Sequence, residues 1–334
     1  MTTENQKGRI TLFAAGGAGI NIAKKLEKFR GHKETALADI SIVYIDTSRS
    51  NGRGLPEEHT HLFEGMDGSG KVRAENFQEI SRHVRSILQR FQPGDLAIVL
   101  SSASGGSGSV IAPTLMSELL ANNVPSVAIA IGSTDSALEI QNTLNTLKSY
   151  EGVAKKREIP VVMSYFQNSK ETNRHVVNDA VTEMITTLMV VYSRQNDELD
   201  SKDLENFLNF PKVTKFTDPR LVGLSRLLND QTKNIDDVTT GNVIGMVSLL
   251  KQGEQLDVDF IPDYQAIGYL PEGAASEVTA LAPITLVTLA NTPAVVAKDI
   301  NQRLVALEKA QKARVDSGPI LSNKDSQEDN GIVL

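Results

Sequence analysis

The chain of 334 residues contains no cysteine and no tryptophan, and only 5% of it is aromatic. Without cysteine there are no disulfides, no thiolate metal sites and no thiol nucleophile, which fits a reducing compartment. The sequence also lacks any run of the ~18 to 20 uninterrupted apolar residues that a membrane span needs. Its polar start, Met1-Thr2-Thr3-Glu4-Asn5-Gln6-Lys7, has no apolar stretch of the signal-peptide kind, so the expectation is a protein that stays where it is made. Positive charge is in deficit, 34 Lys and Arg against 41 Asp and Glu. That balance argues against a protein whose main task is gripping nucleic acid. Histidine is scarce too. His59 and His61 share one strand face, but two ligands without acidic partners are too few for zinc, so they are read as structural or surface residues and no metal site is expected. What is present is the composition of an ordinary globular protein, 40% hydrophobic and 22% charged, long enough for two domains.

Short apolar runs alternate with amphipathic stretches. Arg9–Ala14, Ile40–Ile45, Leu96–Leu100, Val124–Ile131 and Ile159–Tyr165 read as strands, and Gly19–Phe29, Ala74–Phe91, Val110–Leu120 and Ser136–Val153 as helices. Strands spaced by helices of this length predict parallel βαβ units in an α/β, doubly wound sheet, with ligands bound beyond the strand carboxyl ends. Val176 to Tyr192 is apolar on most faces, the pattern of a helix buried between layers. Val243–Leu250, Ala266–Leu270 and Ile284–Ala290 suggest a smaller mixed domain, followed by a long charged amphipathic helix, Ala294–Val315. The expected organisation is a nucleotide-binding domain over 1–175, a connecting helix over 176–193, an α+β domain over 194–293, a C-terminal helix over 294–316 and a tail over 317–334.

Three loops have the composition of phosphate sites. Ser101-Ser102-Ala103-Ser104-Gly105-Gly106-Ser107-Gly108-Ser109 joins an apolar strand to an apolar helix, where glycines admit an anion to the backbone and the helix presents its positive end. A flexible linker has similar composition, but linkers seldom join two buried elements without a polar spacer. Ala14-Ala15-Gly16-Gly17-Ala18-Gly19-Ile20-Asn21 follows the first strand, and Asp46 ends the second where a ribose-binding acid stands in dinucleotide folds. An NAD-dependent oxidoreductase with a Rossmann-type domain is therefore the rival reading. That fold, however, needs no second Gly/Ser loop after a later strand. Gly65-Met66-Asp67-Gly68-Ser69-Gly70-Lys71 has P-loop spacing, but Val72 replaces the hydroxyl that would ligate magnesium, so it is read as an exposed turn near the phosphates.

Together the early glycine loop, the Ser/Gly loop and the buried helix resemble the tubulin/FtsZ superfamily of polymerising GTPases over nearly the whole chain. Ser104-Gly105-Gly106-Ser107-Gly108-Ser109 is similar to the tubulin signature Gly-Gly-Gly-Thr-Gly-Ser/Gly, with serine at the first glycine and at the threonine. Asn142-Thr143-Leu144-Asn145-Thr146-Leu147-Lys148-Ser149-Tyr150-Glu151-Gly152 and Leu199-Asp200-Ser201-Lys202-Asp203-Leu204 resemble the phage-encoded tubulins of the PhuZ/TubZ type. The resemblance implies GTP and GDP as ligands, with Mg2+ held through phosphates and water. Gly16, Gly17, Gly19 and Asn21 would line the diphosphate, Asp46 would lie at the pocket, Glu139 would reach the ribose, and Asn168 and Asn178 would read the guanine edge. Arg174 stands where the family often stacks an aromatic on the base.

Hydrolysis needs a group that orients water, and none is evident beside the glycine loops. The resemblance assigns that role to Asp200 and Asp203, inserted into the neighbouring subunit's site, so that catalysis is completed in a polymer. The residues alone also allow a simpler role, Asp200 capping a helix over Lys202–Asn209. The implied protein is a self-assembling filament in the host bacterial cytoplasm that positions phage DNA or a replication compartment, with DNA or capsid as indirect cargo and no membrane partner. The tail couples Asp325, Glu328 and Asp329 to apolar Ile320, Leu321, Ile332, Val333 and Leu334. It is expected to contact the next subunit.

Overall fold

The computed structural model describes residues 7–30, 35–66, 68–73, 77–196, 198–227 and 242–316. The acidic tail 317–334 and Asp67 lie outside the described residues. Six strands make the first part of the sheet: β1 (Arg9–Ala15), β2 (Asp39–Asp46), β3 (Thr60–Leu62), β4 (Leu96–Ser102), β5 (Ser126–Ser133) and β6 (Val161–Asn168). All pair in parallel, in the order β3-β2-β1-β4-β5-β6. This is the doubly wound order, and it reverses direction between β1 and β4.

The helices that follow these strands are α1 (Gly16–Leu26), α2 (Phe77–Arg90), α3 (Gly108–Ala121), α4 (Ala137–Arg157) and α5 (Arg174–Val191). The central strands are apolar at nearly every position because helices cover both faces. Alternate residues point opposite ways. Leu12, Ile42, Ile98 and Ile129 pack with Ile20 of α1 and Val181 and Leu188 of α5. Phe13, Val43, Val99 and Ala128 pack with Val84 of α2, Leu115 of α3 and Leu144 of α4. In α2 the buried residues Ile80, Val84 and Ile87 form one stripe at helical spacing, and its exposed faces are mostly polar, Phe77 excepted. Ser136 caps α4 by accepting from the Glu139 N–H, and Lys155, Lys156 and Arg157 sit at its negative end.

After α5 come α6 (Ser201–Leu208), β7 (Leu221–Leu227), β8 (Val243–Leu250), β9 (Tyr264–Tyr269), the short α7 (Ser276–Thr279), β10 (Ile284–Leu289) and α8 (Thr292–Asp316). The strands extend the same sheet as β6-β7-β10-β8-β9, giving ten strands in all, with β10 antiparallel to both its neighbours. Ile300 and Leu304 of α8 are buried in the cluster that holds Leu144 and Leu147 of α4. The sequence pattern does not announce β7. Its run Leu-Val-Gly-Leu-Ser-Arg-Leu contains a glycine and an arginine, and Arg226 is tolerated because it reaches Glu183 of α5 at 2.7 Å and the Leu281 carbonyl at 3.1 Å. Among the described residues, no helix is long and apolar enough to cross a membrane.

Candidate functional site

At the carboxyl ends of the parallel strands, where the strand order reverses, lies a polar cavity of about 550 Å³, a size suited to a small-molecule ligand. Gly16, Gly17, Asn21, Asp46, Ser104, Gly105, Gly106, Ser107, Gly108, Glu139, Asn168 and Asn178 all line it. Gly19 and Ser109 do not. Gly19 lets α1 press onto β4, since a methyl there would lie 2.6 Å from the Leu100 carbonyl oxygen. The buried Ser109 hydroxyl donates to the Gly105 and Gly106 carbonyls at 2.7 Å, tying the Ser/Gly loop to the start of α3.

The two glycine loops touch. Gly16 takes a φ of 76°, and a methyl on it would come within 2.9 Å of Gly108, while one on Gly108 would lie 2.5 Å from the Ala15 carbonyl oxygen. Only glycine at both positions allows α1 and α3 to begin side by side at the cavity. Neither helix has a side-chain cap or an acidic residue in its first turn. Their first N–H groups and positive dipole ends are left for an anion. The serine at the first position of the loop is accommodated, because Ser104 is not among the residues with positive φ.

Asp46, 1% exposed, organises the loop that follows β2. It accepts from the Thr47 N–H at 2.7 Å, the Ser48 N–H at 3.1 Å and Asn51 Nδ2 at 2.7 Å. Burial pushes its carboxyl above the usual range, and these bonds offset only part of the shift. With both oxygens so engaged, Asp46 is poorly placed to serve as the ribose acid of a dinucleotide site. The turn at Gly65–Lys71 is exposed at Gly65, Gly70 and Lys71, as expected, but it buries Ser69 in the wall: Ser69 is 8% exposed, and the Ser107 hydroxyl lies 3.2 Å from Ser69 Oγ and 2.5 Å from Thr47 Oγ1. The cause is Gly106, where any side chain would collide with Ser69. Asn51 and Lys71 are wall residues that sequence reasoning did not assign.

At the other end of the cavity, Asn168 closes β6 and Asn178 faces it from α5. Asn168 Oδ1 is buried and has no hydrogen-bond partner among the described residues. Arg174 opens α5, its guanidinium 3.7 Å from Asp135. Glu139 accepts from Lys71 Nζ at 2.6 Å and from Ser133 Oγ at 2.9 Å. His59 and His61 lie elsewhere, at β3, with the His61 ring edge-on to Phe63.

Asp200 and Asp203 are outside the cavity, at the start of α6, where they form a capping box. Asp200 Oδ1 accepts from the Lys202 and Asp203 N–H groups at 2.7 and 2.9 Å, and Asp203 Oδ2 accepts from the Asp200 N–H at 3.1 Å. Tyr264 donates to Asp203 Oδ1 at 3.0 Å, and burial together with that carboxylate pushes the phenol up to about 12. Asn196 Oδ1 accepts from the Leu199 N–H at 2.5 Å and the Glu198 N–H at 3.2 Å, shaping the approach to the box. Nothing in the local sequence singles it out, because its partners are backbone groups.

An anion-ready cleft lies at the switch point of a doubly wound sheet, with a capped acidic turn displaced from it, in a fold of the tubulin kind. The comparisons with known proteins agree. No protein-family model matches the chain. It is 30% identical over 219 residues to a phage tubulin-like protein of Pseudomonas phage phiKZ, a match spanning 62% of this chain and 64% of the relative. It is 22% identical to the phage tubulin-like protein of Pseudomonas phage 201phi2-1 over 98% of this chain and 99% of that one. Among solved structures, a protofilament of TubZ from bacteriophage PhiKZ superposes with a TM-score of 0.78 at 24% identity, covering 96% of this chain and 95% of that one. The phage tubulin PhuZ with GDP gives 0.80 at 21% identity, covering 98% and 99%. The chain is similar to these phage tubulin-like proteins and shares the fold of the PhuZ and TubZ structures.

Proposed function

We propose that the chain is a guanine-nucleotide-binding protein that hydrolyses GTP and assembles into filaments. The observation that carries this reading is the cavity itself, with two bare helix N-termini at one end and an orphaned Asn168 oxygen at the other. The helix ends suit a polyphosphate. The orphaned oxygen suits the N–H donors of a guanine edge, whereas adenine presents an acceptor at the matching ring position. Magnesium would be held by the nucleotide phosphates and water. The likeness to a TubZ protofilament and to GDP-containing PhuZ supports the same reading.

Asp200 and Asp203 are proposed to act in trans, on the nucleotide of an adjacent copy. Each already serves its own helix, and Asp203 has both oxygens engaged. Asp200 Oδ2 accepts no hydrogen bond among the described residues, so it is the oxygen available to a water in a neighbouring site. The tail 317–334 is proposed as a second contact between copies. Such a filament would work in the cytoplasm of an infected bacterium, positioning phage DNA or capsids indirectly.

Sedimentation with GTP, GDP, ATP or NADH tests the reading. Pelleting that requires GTP, with GTP and GDP but not ATP displacing a labelled guanine nucleotide, is the expected result. Equal displacement by ATP removes the guanine assignment, and binding of NADH in place of GTP restores the oxidoreductase alternative.

A further inference from the structure

Among the described residues two cations line the cavity, Lys71 and Arg174, and both favour the Glu139 carboxylate, Lys71 by a direct bond and Arg174 through space. Arg174 begins α5 one turn before Asn178 and lies beside Asp135, with its side chain 75% exposed. Lys71 stands at the Ser/Gly end. A methyl on Gly106 would come within 3.0 Å of the Lys71 Cα, so its main chain rests directly on the loop that carries the anion-binding composition.

The backbone of Lys71 is fixed. It holds a φ of 66°, a conformation an L-residue keeps only where its surroundings impose it. Asn142 Nδ2 donates to the Lys71 carbonyl at 2.9 Å and to the Ser104 carbonyl at 3.2 Å, joining the two loops. Two residues on, Arg73 is anchored along α4 by the Asn142 carbonyl, the Thr146 hydroxyl and Ser149. The movable part is the Lys71 side chain, about half of it in solvent. Its partner is the opposite. Glu139 is largely buried and held also by Ser133, and although burial raises its carboxyl, the bonds from Lys71 and Ser133 outweigh that and keep it below the usual range.

An anion seated on the Ser/Gly loop competes with Glu139 for the same ammonium. The competition is won by the ligand with more charge at its outer end, because charge-assisted bonds are the strong ones. We propose that Lys71 sets the preference for a nucleoside triphosphate over the diphosphate, by passing its ammonium from Glu139 to the terminal phosphate. The exchange leaves the Glu139 carboxylate to Ser133 and to the ribose hydroxyls. This inference rests on the guanine-nucleotide reading above, and it makes Lys71 a specificity-determining residue that sequence spacing had suggested only as part of a failed P-loop.

The test is displacement of a fluorescent GDP from the full chain by GDP and by a slowly hydrolysed GTP analogue. Lys71→Met keeps the length of the side chain and removes its charge. It should hold GDP affinity within about twofold and lose about tenfold or more in triphosphate affinity, the worth of one charge-assisted hydrogen bond. Lys71→Arg should restore most of the difference. Equal losses for both nucleotides in Lys71→Met, or no loss for either, overturn the inference while leaving the nucleotide site standing. A parent chain that binds neither nucleotide overturns the underlying reading, so the two failures are distinguishable.

Discussion

Replacing Asn168 by leucine separates a ligand-binding amide from a structural one, because the two roles change stability and affinity in opposite directions. In the unliganded chain Asn168 Oδ1 is buried without a donor among the described residues, and an unsatisfied buried polar group costs about 1–3 kcal/mol. Leucine, with the same number and branching of side-chain heavy atoms, removes that cost, so Asn168→Leu should be as stable as the parent or more stable by up to about 1 kcal/mol. If the same oxygen accepts from a bound guanine, losing the bond forfeits about 1–2 kcal/mol, or roughly five- to thirtyfold in affinity. Thermal unfolding with and without GDP reads both effects. At a ligand concentration about a hundred times the parent's Kd, binding adds about 2.7 kcal/mol to the parent. The variant should retain roughly one third to two thirds of that increment, with its unliganded midpoint unchanged or raised. A fall of about 2 kcal/mol in unliganded stability, with GDP affinity intact, would show that the amide supports the end of β6 and reads no base.

Three further outcomes follow from the geometry. Asp200→Asn keeps a good N-cap, so it should leave monomer stability and GTP binding intact while slowing assembly-dependent hydrolysis about a hundredfold or more, measured as phosphate release; unchanged turnover would reduce Asp200 to its capping role. Gly108→Ala forces a methyl to 2.5 Å from the Ala15 carbonyl oxygen, and it should cost about 1–3 kcal/mol by chemical denaturation and weaken both GTP and GDP; an unperturbed variant would mean that the α1–α3 contact is loose. The Glu139 carboxyl is held below its ordinary value of 4.5, so its contribution is present above that pH and disappears as pH falls through the depressed folded value. Glu139→Gln should therefore flatten the acid limb of the stability–pH curve, and an identical limb in the variant would remove Glu139 from the acid response.

Strands β1, β2, β4, β5 and β6 were legible in the sequence because they are covered on both faces and read as continuous apolar runs, whereas the half-buried Thr-His-Leu of β3 does not. The Ser/Gly loop was legible for a related reason, sitting between two such runs. The start of α1 was placed at Gly19 instead of Gly16 because glycines are poor helix formers in isolation, and only contact with Gly108 explains why three of them open a helix. β7 was hidden by Arg226, whose partners Glu183 and Leu281 are far away in sequence. Asn51, Asn196 and Lys71 escaped for the same reason. Each acts through a partner that folding brings close, respectively Asp46, the backbone before α6, and Glu139. The Asp200 cap was the opposite case, since the acid and the helix it caps are adjacent in sequence.

The ten strands are not joined with equal strength. β1 is in register with β2 over seven residue pairs and with β4 over six, but β6 meets β7 over three: Val161 with Leu221, Val162 with Val222, and Met163 with Gly223. In mechanical terms the sheet is two stiff plates with a crease between them. A load applied to the plate of β7 to β10 is expected to act first on that short seam, and opening it would leave the cavity strands β1, β4 and β5 paired with one another. The Arg226–Glu183 ion pair crosses from β7 to α5 beside this line, acting as a strut that limits how far the crease opens.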